Sequence, residues 1–176
     1  MKKQERNKGF SLLEMVVALA IIAGISVVLS QVFLTTVRTN TKTEVLKDLK
    51  QNGDVALESI SRAVQSAKSI LCNSATSLTV VNADSTTNTF ACVSNGSQTR
   101  LSKSDATGLT YLTADSVTMG GADCTTTSLK FTCTDISGSP GAVSVSFSLA
   151  ANGLSASAFE QGSQSFETSV TMRNVQ

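Results

Sequence analysis

The chain has 176 residues, with 14 Lys and Arg against 13 Asp and Glu and no histidine. The near-neutral balance hides an asymmetry: Lys2, Lys3, Arg6 and Lys8 against Glu5 give the first nine residues +3, so the rest sums to −2. A mildly acidic body has no basic surplus for nucleic acid, and the lack of histidine excludes His-dependent triads and acid–base or metal chemistry. The length suits a single soluble domain once an N-terminal segment is set aside.

From Met15 to Val37 no residue is charged. As helix this run would extend roughly 34 Å, more than a bilayer core of about 30 Å. Basic residues before it and few just after it predict a cytoplasmic N-terminus, with everything past Val37 exported. A secretory signal would have an apolar core of about 7–15 residues and a small-x-small cleavage site. This run is longer and continues into a helical pattern. One carboxylate, Glu14, stands just inside its start, where an unpaired charge is costly and calls for a partner.

The stretch Lys8-Gly9-Phe10-Ser11-Leu12-Leu13-Glu14-Met15 resembles the processing site of type IV pilins and pseudopilins. The resemblance implies cutting between Gly9 and Phe10 by a membrane aspartyl peptidase, followed by methylation of the new Phe10 amine. Glu14 then stands at the fifth mature position, where the family pairs its glutamate with the amine of a neighbouring subunit. Further implied are partner pilin subunits, the prepilin peptidase/methyltransferase, an inner-membrane assembly platform and membrane lipid before assembly. No cofactor is implied. The competing reading of Glu14 is a carboxylate snorkelling at the interface of a simple anchor.

Within the apolar run, Gly24 and the small residues Ala18, Ala20, Ala23 and Ser26 would let helices approach closely, although variety inside lipid accounts for them equally well. Beyond Val37, apolar residues recur at three or four positions through Val45, Leu49, Ala56, Ile60, Ala63, Ala67 and Leu71, predicting one amphipathic helix to about residue 71 with Glu58 and Arg62 paired on its far side. Gly53 falls on the stripe, where a bend or close packing against a sheet would explain it. The helix as a whole would be roughly 90 Å long.

From Ser77 the pattern turns β-rich. Strands are predicted at Ser77–Val81, Thr89–Val93, Thr99–Ser102, Leu109–Leu112, Leu129–Thr134, Ala142–Leu149 and Phe166–Met172. The sixth alternates most clearly, with Val143, Val145, Phe147 and Leu149 facing inward toward the helix stripe. Loops are marked by Asn95-Gly96, Gly120-Gly121, Gly138 to Gly141, Asn152-Gly153 and Gly162. The Asn95-Gly-Ser97 sequon is a weak, three-residue match. The fold class is therefore α+β, a long helix packed on an antiparallel head. The domains are 1–9 as a leader, 10–37 as a transmembrane and filament-core helix, 38–71 as an amphipathic helix and 72–176 as the head.

All four cysteines lie on the exported side, where disulfides form. Of the three pairings, the local one joins Cys72 to Cys92 and Cys124 to Cys133. No Cys-x-x-Cys pair exists to hold zinc, and Asp84, Asp105, Asp115, Asp123 and Asp135 are spread singly, without calcium-ligand spacing.

A second resemblance, to W-type minor pilins and J-type pseudopilins, rests on the helix segment Ala56 to Ala67 and on Phe166-Glu-Thr-Ser-Val-Thr-Met-Arg-Asn174. It implies a low-abundance subunit that initiates a filament of the pilus or type II secretion kind. The alternatives are a major pilin, which often has a disulfide near its C-terminus, and an adhesin or DNA-binding module on the same stalk. For the last, the sequence offers only Arg100, Lys103 and Lys130 as phosphate contacts.

Overall fold

The computed structural model describes residues 9–96, 98–134, 141–152 and 162–173. The leader through Lys8, Ser97 of the sequon, Asp135, most of the loop before Gly141, Asn174 and much of the stretch after Asn152 lie outside them.

One helix, α1, runs Leu12–Gln65. Ser11 is its N-cap: the Ser11 hydroxyl oxygen accepts from the Glu14 backbone N–H at 3.3 Å, and the Ser11 carbonyl accepts from Met15 N–H at 3.3 Å. Ser-x-x-Glu is the pattern of a capping box, here with its serine half formed. Two compact units divide within α1, after Asn40.

In the first unit every described residue is exposed. Its few hydroxyls are satisfied by the helix itself. Ser26, Ser30, Thr35, Thr36 and Thr39 each donate to the carbonyl four residues back, at 2.8 to 2.9 Å. That back-bonding removes the cost of placing a hydroxyl in an apolar medium.

In the second unit α1 buries Leu49, Gly53, Ala56 and Ile60, which lie on the stripe predicted from spacing, and Val64, which is buried where the spacing pointed to the half-buried Ala63. The helix stops at Gln65, short of residue 71. Ser66 turns its hydroxyl onto the carbonyls of Arg62 and Ala63, and the Gln65 carbonyl accepts from the Arg173 N–H at 3.3 Å. The chain then continues as a strand, β1 at Ala67–Ser74, which leaves Leu71 about half exposed at 55% instead of on the stripe.

Among the described residues, nine strands follow α1. β1, β2 (Ser77–Asn82), β3 (Thr87–Ser94), β4 (Thr99–Asp105) and β5 (Gly108–Tyr111) form an antiparallel sheet in chain order. The second sheet is built on β8 (Ala142–Ala151). β6 (Val117–Thr118) and β7 (Lys130–Thr134) pair with the two ends of β8, and β9 (Ser163–Thr171) pairs along nearly its whole length. All seven predicted strands are present with shifted ends. β1 and the two-residue β6 were not foreseen.

The core lies between α1 and the two sheets. Leu78, Val80, Phe90 and Leu101 come from the first sheet, and Val143, Val145, Phe147 and Leu149 from the second. The last four are the inward set expected from the alternation of β8.

The disulfides do not follow the local pairing. Cys72 joins Cys133 and Cys92 joins Cys124. Cys72 is on β1 and Cys92 on β3, with β2 between them. Two strand spacings amount to about 10 Å, beyond the reach of roughly 7 Å between bridged Cα atoms. Each observed bridge instead ties the first sheet to the second, or to the loop between β6 and β7.

Candidate functional site: the N-terminal end of the long helix

Among the described residues, Gly9, Phe10 and Ser11 precede the first helical turn without regular structure. Phe10 is 78% exposed, and no described residue comes near the space where a Gly9 side chain would stand. Packing among the described residues therefore does not itself demand glycine at position 9. Glu14 is the third residue of α1, and a carboxylate in the first turn is favoured by the helix dipole. No cation pairs with it among the described residues.

The helix then presents a largely apolar surface. Leu19, Ile22, Val28, Leu29, Val32 and Phe33 are each more than half exposed. The helix is long and apolar enough to cross a membrane. In water such a surface would be an aggregation liability.

Residues 5–29 match the family model for the prokaryotic N-terminal methylation motif. The N-terminal segment is a prepilin-type signal. Type IV pilins and pseudopilins carry this signal, and the α+β architecture, a long N-terminal helix with antiparallel sheets, is type IV pilin-like. The signal supports a structural filament subunit, implies association with pilin subunits and with the prepilin peptidase, and is consistent with membrane anchoring. It points away from an enzyme. No curated protein and no solved structure matches the chain.

The basic residues considered as phosphate contacts are not gathered into one patch. Arg100 is paired with Asp115, donates from Nε to the Thr113 carbonyl at 3.0 Å and lies 4.0 Å over the Tyr111 ring. Lys103, on the opposite face of β4, is 3.2 Å from Asp105. Lys130 belongs to the other sheet.

Two features of the head were missed in the sequence. On α1, Asp48 accepts from the Ser116 hydroxyl at 2.8 Å while Asn52 accepts from the Ala114 N–H at 2.8 Å, so an i, i+4 polar pair grips the passage from β5 to β6. The hint was a polar pair beside the apolar stripe. The second is a thrice-repeated Asp-x-Thr. Asp84, Asp105 and Asp123 each accept from the backbone N–H and hydroxyl of the threonine two positions on, fixing three turns. Those hydroxyl and N–H donors hold all three carboxyls below the usual range, Asp105 at about 2 with help from Lys103.

Proposed function

We propose that this protein is a filament subunit processed between Gly9 and Phe10, with Phe10 as its methylated N-terminus and Glu14 as its assembly residue. The leader is cytoplasmic, residues 10–37 are stored in the cytoplasmic membrane, and the head is exported. The observation that carries this reading is the methylation motif over residues 5–29, set on an exposed Gly9–Phe10 bond just upstream of an apolar helix.

Physical chemistry gives the motif a reason. A carboxylate near the end of a membrane helix is destabilised, by about 2.5–3.5 kcal/mol at mid-bilayer and by less near an interface. Removing the leader creates a cation at Phe10, and Glu14 of one subunit pairs with the Phe10 amine of the next. Helices with otherwise featureless aliphatic surfaces thereby acquire an axial register. An assembly platform in the membrane would extract such helices from lipid into the filament.

Among filament subunits, a minor, initiating role is favoured by the resemblance of Ala56 to Ala67 and Phe166 to Asn174 to W-type and J-type proteins. The disulfides agree with it, because Cys72–Cys133 ties the first sheet to the second, Cys92–Cys124 ties the first sheet to the loop between β6 and β7, and neither closes a C-terminal loop. The test is Glu14→Ala expressed beside the native assembly machinery. Normal membrane insertion with poor incorporation into filaments is expected. Unchanged incorporation would remove the register role.

A further inference from the structure

The scissile bond of the proposed maturation step stands just outside α1, and what holds it outside is Ser11. Leu12 is the first helical residue, and the Ser11 hydroxyl takes up the Glu14 N–H at 3.3 Å. We infer that Ser11 is a positioning residue for processing: by capping α1 it keeps the Gly9–Phe10 bond in non-helical, exposed backbone that the peptidase can engage. The inference rests on the cleavage proposed above and adds to it the control of where the helix begins.

The alternative helix start is close at hand. Alanine is the strongest helix former and a poor cap, whereas glycine is an acceptable cap. With Ser11→Ala the next upstream residue able to cap is Gly9. Capping there would place Phe10 at the first helical position and draw the scissile bond into the helix terminus. The Leu12, Leu13 and Glu14 side chains that follow the cap are unchanged by this shift, so the effect acts on the backbone of the bond and not on the surface of the substrate.

The experiment measures the rate of leader removal from the full-length chain by the prepilin peptidase in membranes, counting only carbonate-resistant, inserted protein. The variants are Ser11→Ala, Ser11→Val, Ser11→Thr, Ser11→Asn and Ser11→Gly. Capping strength orders them with Asn beside Ser, Thr and Gly slightly lower, and Ala and Val far below. Ala and Val should therefore slow by about fivefold, the population change that an average lost cap represents, and the others by no more than about twofold.

Equal rates across the set would overturn the inference. So would a rate that follows the hydroxyl, with Thr normal and Asn and Gly as slow as Val, since the peptidase would then be reading the side chain directly. If even the unaltered chain is not cut at Gly9–Phe10, the maturation reading itself falls, which separates the two failures.

Discussion

Gly53 of α1 lies against the ring of Phe166 on β9, so closely that a methyl group added at Gly53 would overlap the ring. Phe166 has little room to retreat, because its ring stacks on Phe147 with centroids 5.3 Å apart and it is only 7% exposed. Gly53→Ala gains about 1 kcal/mol of helix propensity but overpacks the core, which typically costs about 1–3 kcal/mol. The net expectation is a lower midpoint in urea unfolding. Smaller side chains at position 166 should remove the clash, so in a double-mutant cycle Gly53→Ala should turn neutral or stabilising on a Phe166→Ala background.

The disulfide connectivity is open to direct mapping. Trypsin leaves Cys72 and Cys92 on one peptide, residues 69–100, with Cys124 on 104–130 and Cys133 on 131–173. Digested without reduction, the observed connectivity holds all three peptides together. The local pairing would instead release 69–100 alone. A second cut before Asp84 should then isolate the Cys72–Cys133 link. Both bridges close long loops, with sequence separations of 61 and 32, so removing either as a Cys→Ala pair should destabilise the head by about 4 kcal/mol on the chain-entropy account.

Acid should loosen three turns of the head. The carboxyl of Asp105 is lowered from its ordinary 3.8 to about 2, first by the Thr107 hydroxyl, then by the Thr107 N–H and by Lys103. Asp84 and Asp123 shift the same way through Thr86 and Thr125. A folded-state value below the unfolded one means stability that is present above the unfolded value and lost as pH falls through the folded value. The thermal midpoint should therefore be insensitive to these groups at neutral pH and decline as pH falls from 3.8 toward 2. Asp105→Asn should flatten part of that decline.

How much of this was legible in the sequence depended on the range of the interaction. The length and apolarity of α1, the buried stripe through Leu49, Ala56 and Ile60, the Glu58–Arg62 pair and the alternation of β8 are local patterns, and the structure contains each. Leu71 misled because a residue four beyond Ala67 satisfies a helical period as well as it satisfies an edge strand. The choice was made by β2, which supplies pairing partners for Ile70 and Leu71. The disulfides misled for a related reason. Short loops close at least entropic cost, but strand order put β2 between Cys72 and Cys92. At the N-terminal site the motif residues were plain, whereas the role of Ser11 depended on knowing where α1 begins.

The measurement that bears most directly on the central claim is the intact mass of the protein isolated from cells that contain the prepilin peptidase. Loss of residues 1–9 together with one added methyl group, located on Phe10 by fragmentation, is the predicted result. A chain that keeps its leader in those cells, or is cut at any bond other than Gly9–Phe10, would contradict the account.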